Sequence, residues 1–223
     1  MKLSYRTHDA FEVENQKITV VGTNQPVVYT DLVNGIQEQN ELLAVFDDKY
    51  DRMEIHKTFD WIGDVGTQEL VVQKYLTKIE RSFIDSLTGE QRNKIHDQIN
   101  ELFNVVSEQI FMLDIPISVN YEFDFKKLFK YCGVHFDQQL TGSPYDIIET
   151  ILKVHEECAI KSCVVLTNVA HYLTRTQFEE IEKLIKQTNQ ALLLIEFTEM
   201  GCQSTYGNSD FYYIDEDFID WHS

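Results

Sequence analysis

The stretch from Cys163 to Phe197, CVVLTNVAHYLTRTQFEEIEKLIKQTNQALLLIEF, constrains the fold of this chain more than any other. Cys163-Val164-Val165-Leu166 and Ala191 to Phe197 are unbroken apolar runs, the pattern of strands covered on both faces. Between them Thr174-x-x-Gln177 is a capping box, and it opens a helix with Phe178, Ile181, Leu184 and Ile185 on one side. Strand, helix and strand in so short a span force a parallel pair joined by a right-handed crossover. The predicted class is therefore α/β around an open sheet.

A second strand of this type starts the chain's best-known kind of motif and then abandons it. KITVVGTNQPVVYTDLV, Lys17 to Val33, begins like the first strand and phosphate loop of a P-loop ATPase. A phosphate loop needs G-x-x-x-x-G-K-[ST], so that backbone N–H groups and a lysine hold phosphate oxygens while a hydroxyl holds magnesium. After Gly22 come Thr23, Asn24, Gln25, Pro26, Val27, Val28 and Tyr29, so the second glycine, the lysine and the hydroxyl are missing. The strand Cys163 to Leu166 is followed by Thr167-Asn168, where such an enzyme would place a magnesium-organising acid. The shared pattern reports architecture rather than activity.

Around these strands the sequence predicts a hairpin from Lys2–Arg6 and Phe11–Val13, a helix over 31–39, and strands at Leu42–Phe46 and Glu54–Trp61. From Thr67 the period changes. Leu70, Val71, Tyr75, Ile79, Phe83 and Leu87 recur at helical spacing, as do Ile95, Ile99, Leu102, Phe103, Val106 and Ile110 after SLTGEQ. Two long helices in an antiparallel hairpin, closed by Pro116, are expected. Asp124 to Tyr131 reads as a short helix leading through Gly133 into a sheet segment at Val134-His135-Phe136, and Ser143-Pro144 opens another helix. The predicted organisation is an α/β head, 1–64 and 119–223, interrupted by an α-helical leg, 65–118.

Nineteen basic residues against 37 acidic ones give a formal charge of −18, which repels nucleic acid and anionic membranes unless positive charge is segregated. The acid is concentrated towards the end: Thr198 to Ser223 holds Glu199, Asp210, Asp215, Glu216, Asp217 and Asp220 and no lysine or arginine. Cys132, Cys158, Cys163 and Cys202 form no C-x-x-C pair and predict reduced, packed thiols in a cytoplasmic protein. No export signal and no run near the ~18 apolar residues of a membrane span is present, so no membrane partner is expected.

Catalytic motifs are missing as well: there is no H-E-x-x-H, no G-x-S-x-G and no clustered Cys/His spacing, and His171 after the strand stands without a nucleophile. Asp114, Glu122 and Asp124 supply oxygen ligands of the kind calcium takes, but without the spacing of an EF-hand loop, so on the residues alone a solvated acidic surface is the favoured reading. Lys74, Lys78 and Arg81 fall at i, i+4 and i+7, one stripe of the first leg helix, and Lys126, Lys127 and Lys130 cluster at the expected return to the sheet. Such cations either solvate exposed faces and pair with neighbours such as Glu80, or line a concavity that an oligomer closes around a polyanion.

The order of head, helical leg and head, with FDWIGDV entering the leg, KYCGVHF leaving it, SPYDIIETILKV, CVVLTNVAHYLTRTQFEEIEKLI, ALLLIEF and the closing YYIDEDF, resembles the short Csn family of type II-A CRISPR adaptation proteins. The resemblance covers nearly the whole chain and is most specific over Ser143 to Phe218. It implies a degenerate P-loop-ATPase-like head, a homotetrameric ring around the ends of linear double-stranded DNA, a lysine-lined hole, and calcium near the junction of head and leg. It further implies a part in spacer acquisition beside the CRISPR integrase and the RNA-guided effector nuclease, with no catalysis of its own. The strongly acidic segment between leg and head in the streptococcal pattern is MLDIPISVNYEFDF here, which leaves Asp114, Glu122 and Asp124 as ligands. Two other functions fit the residues: a divergent nucleotide hydrolase built around Gly22 to Gln25, and a protein-only scaffold, which the −18 charge favours.

Overall fold

In the computed structural model, which describes residues 1–38, 41–67, 71–137 and 142–223, the chain is mixed α/β with two sheets and falls into two compact units. Residues 1–74 and 136–223 form the larger, and 75–135 form the smaller, inserted between them. The division departs from the expected leg limits at both ends, giving 65–74 to the larger unit and 119–135 to the smaller.

Strands β1 (Lys2–Tyr5), β2 (Phe11–Glu12), β4 (Leu43–Phe46) and β5 (Arg52–Met53) make an antiparallel sheet in the order β2-β1-β4-β5. The main sheet runs β10-β9-β3-β8-β7-β6, from β3 (Ile18–Thr23), β6 (Phe59–Gly63), β7 (Cys163–Thr167), β8 (Leu192–Phe197), β9 (Asp210–Ile214) and β10 (Asp220–His222). Every neighbouring pair in it is parallel except β9 and β10. Alternate residues point to opposite faces. Val21, Val165, Leu193 and Ile195 pack into one core with Leu3, Tyr5, Val45 and with Val28, Leu32 and Ile36 of helix α1 (Pro26–Gln37). Val20, Val164, Leu192 and Leu194 are equally buried on the other side of the sheet. Helices α6 (Pro144–Glu157) and α7 (Arg175–Thr188) pack on each other, and each buries one apolar face.

Helix starts follow the chemistry of their first residues. The Ser143 hydroxyl caps α6, accepting from the Asp146 N–H, with Pro144 in the first turn, and Thr174 and Gln177 form the reciprocal capping box of α7. Helix α1 starts at Pro26, five residues before the expected Asp31, because the Gln25 side chain caps it and proline is preset for the first turn. Within the expected strand 54–61, Ile55–Thr58 coil into a helical turn, α2, whose last N–H and hydroxyl both donate to the Glu54 carbonyl. No strand forms at Val134-His135-Phe136, so that return to the sheet is corrected to an irregular connection.

The smaller unit contains α3 (Leu76–Ser86), α4 (Gly89–Phe111) and α5 (Phe125–Tyr131). Only Leu87 and Thr88 separate α3 from α4, and the Thr88–Gln91 capping box starts the latter. The Arg92 guanidinium clamps that turn, donating to the carbonyls of Leu87 and Ile84. Helix α4 ends at Phe111, five residues short of Pro116. Neither α3 nor α4 buries a single residue fully. Of the cysteines only Cys163 is buried, while Cys132 and Cys202 are exposed, so the expected packing of all four thiols is corrected.

Candidate nucleic-acid interface

Helix α5 is short and sharply two-sided. Asp124 sits in extended backbone and its carboxylate accepts the Lys126 N–H at 2.9 Å, which starts the helix. At 3.6 residues per turn Phe125, Leu128 and Phe129 then share one arc, and Lys126, Lys127, Lys130 and Tyr131 share the other. Phe129 is buried with its ring 5.7 Å from that of Phe83 on α3. Phe125 lies 4.8 Å from the Phe123 ring and 5.3 Å from the Arg92 guanidinium of α4. With the apolar arc held inward on both flanks, the three lysines are exposed.

Lys78 and Arg81 are exposed on α3, the helix that α5 packs against. Arg81 approaches Asp85 at 3.7 Å, but both side chains stand mostly in water, so the pair contributes only about 0–1 kcal/mol and leaves the cation available. Five of the six expected cations thus belong to two packed helices of one unit. Lys74 is the exception. It lies in a 3₁₀ turn, Val71–Tyr75, ahead of α3 and in the larger unit, so it is not part of the helical stripe. Its ammonium donates to the Asp60 carboxylate at 2.6 Å and to the Trp61 carbonyl at 3.1 Å, and Asp60 also meets the buried His155 ring at 2.8 Å. Tyr131 carries no motif signature; only the helical period, which sets it beside Lys127 and Lys130, marks it in the sequence.

The acidic trio fits calcium poorly. The Asp124 carboxylate is engaged as the α5 cap, Glu122 accepts from the Asn120 amide, and Asp114 lies in the turns after α4. Among the described residues no group of three or more His, Cys, Asp or Glu is arranged to hold a metal ion. A hard cation of this size needs six to eight converging oxygens.

The end of the main sheet where a nucleotide would sit is filled. Gly22, paired in register with Glu196 and Tyr213, is glycine because a Cβ there would come within 3.1–3.2 Å of Thr198, Phe211 and Tyr213. The first turn of α1 offers little to an anion: Pro26 has no N–H and Gln25 caps Val27 itself. Asn168, in left-handed backbone, clasps neighbouring elements, its carbonyl accepting from Phe197 N–H at 3.0 Å and its amide donating to the Tyr29 hydroxyl at 2.7 Å. Behind it lies the buried carboxyl of Glu196. Burial pushes its pKa up to about 7, against the opposing pull of N–H donors from Val169 and Ala170 and the Tyr206 hydroxyl, while the charge of Asp64 adds to the rise. The carboxylates of Asp64 and Glu199 add negative charge at this edge, which disfavours phosphate. His171 is exposed here, beside the Tyr172 ring.

A family model described as CRISPR-associated protein (Cas_Csn2) matches residues 36–218. The chain belongs to that family. Membership gives the protein a role in CRISPR adaptation and bears out the resemblance read from the residues. The crystal structure of Stu0660 of Streptococcus thermophilus has a similar fold, with a TM-score of 0.56 at 13% identity over 100% of this chain and 76% of that one. At that identity the likeness concerns fold alone. No curated protein matches. Among the described residues no helix of this Cas_Csn2 family member is long and apolar enough to cross a membrane.

Proposed function

We propose that this protein binds the ends of linear double-stranded DNA without reading sequence, as a homotetrameric ring, and so supports CRISPR spacer acquisition beside the integrase and the RNA-guided effector nuclease. In this reading the larger unit is a degenerate P-loop-ATPase-like head, α3 and α4 are a helical-hairpin leg, and no catalytic step is involved. The observation that carries it is the segregation of charge. The smaller unit has seven basic residues against nine acidic, and the larger has twelve against twenty-eight, so nearly all of the −18 lies outside the unit with the exposed lysines. A locally near-neutral surface with clustered cations can attract phosphate while the remainder repels it. Self-association is supported by Leu102, Val105 and Val106, which share one face of α4 and are about half exposed. Calcium enters no step, because the residues present do not fit it.

Three measurements test the proposal together: solution mass by light scattering, binding to linear against covalently closed duplex, and the salt dependence of that binding. A tetramer that retains linear DNA, releases it steeply as salt rises, and fails to retain it after K126E/K127E/K130E is expected. Equal retention of closed circles would overturn the ring. A blank with every DNA, with and without calcium, would leave the protein-only scaffold.

A further inference from the structure

We infer that Tyr131 is a stacking platform for an unpaired base at a DNA end, with Lys127 and Lys130 holding the phosphates that flank it; the inference rests on the DNA-binding reading and adds the form of the end. Tyr131 is 86% exposed, and among the described residues it has no hydrogen-bond or ring partner. It lines an open groove of about 240 Å³ together with Phe103, Phe123, Leu128 and Lys127. Phe103 and Phe123 are held in place by neighbours, Phe103 edge-on to Tyr121 at 5.5 Å and Phe123 edge-on to Phe125 at 4.8 Å. The groove therefore combines apolar groups fixed by their neighbours with one free aromatic ring.

A blunt end offers only the outer face of its terminal pair, whose two bases are held in one plane by pairing and cannot enter a groove singly. A base at a single-stranded overhang offers an unsatisfied π-face and a phosphate on each side. Aromatic rings beside cations are how sequence-independent sites take single strands, since every base has a face to stack. On α5 the two parts lie one turn apart, Lys127 to Tyr131 being i, i+4 and Lys130 the adjacent residue. Asp124 also lines the groove, with its carboxylate accepting from the α5 backbone. With Glu122 in the same lining, the groove itself suits a neutral base better than a phosphate.

The test uses the full-length protein and one duplex made in two forms, blunt and with a short thymine overhang carrying 2-aminopurine at its end. The overhang form is expected to bind about tenfold more tightly, with the 2-aminopurine emission quenched on binding, and Tyr131→Ala to abolish both effects while Tyr131→Phe and Tyr131→Trp keep them. Blunt-duplex binding should be unchanged by all three, which controls for folding. Equal affinity for the two forms, or an overhang preference that survives Tyr131→Ala, overturns the inference and leaves end binding standing. No binding to either form removes the DNA reading itself.

Discussion

The two units of this protein are built on opposite plans. The larger holds all but two of the 41 buried hydrophobic residues among those described, most of them in its sheets and in helices α1, α6 and α7. The smaller holds only Tyr75 and Phe129 of that set, yet it displays eleven of the eighteen large hydrophobic side chains that are exposed among the described residues, including Phe111 and Met112. It also carries only −2 of the −18 charge. A unit that buries so little of its own apolar surface gains less stability from within than the larger one does. The lesson is that apolar periodicity in a sequence says which residues share a face, and nothing about whether the same chain covers that face.

The sharpest break of this contrast is one substitution made twice. Leu194→Ala in β8 is expected to cost about 2–5 kcal/mol in denaturant unfolding, whereas Leu102→Ala on α4 should stay within about 0.5 kcal/mol and instead weaken self-association. Comparable losses at both positions would dissolve the distinction.

The second largest effect is electrical and belongs to the larger unit. Because the Glu196 pKa is raised in the folded state from the ordinary 4.5 to about 7, the unfolded chain loses its proton first. Stability from this group is then fully present below the unfolded value and is lost as pH climbs through the folded one, by roughly 3 kcal/mol in total. Glu196→Gln should remove that slope, so the wild-type minus variant difference in ΔG between pH 4.5 and 8 measures it. A difference that does not change with pH would show the carboxyl to be ordinary.

A smaller effect separates Lys74 from the cations of α5. Lys74→Gln takes one partner from Asp60 and is expected to destabilise by about 1 kcal/mol while DNA retention stays constant. Lys127→Gln should do the reverse, lowering the magnitude of the salt slope of binding by about 1 per contacted phosphate with no measurable change in unfolding. Arg81→Ala, in a solvated pair, should move stability by less than about 0.5 kcal/mol.

The parts of the fold that could be read from residues were those where local chemistry and long-range packing agree. Thr174-x-x-Gln177, Ser143-Pro144 and the apolar runs CVVL and LLLIEF each announce one element and form it. Where one residue can serve two structures, side-chain pattern and final conformation part company. Ile55-His56-Lys57-Thr58 has strand-like side chains, yet the Glu54 carbonyl captures two donors from Thr58 and coils it. The start of α1 was signalled by Pro26 but masked by Gln25, an uncommon cap. Lys74 matched a helical stripe by arithmetic alone, and the carboxylate that claims it, Asp60, is fourteen residues back and invisible to spacing. The cluster Lys126, Lys127 and Lys130 was readable because a single turn of helix settles it.

Gly22 has a bearing on how this lineage can change. Its missing side chain is space already occupied by Thr198, Phe211 and Tyr213, so three neighbours would have to shrink in concert before any larger residue could stand there. Each step alone would leave a void beneath the sheet with no compensating gain. Mutation one residue at a time is thus steered away from replacing this glycine.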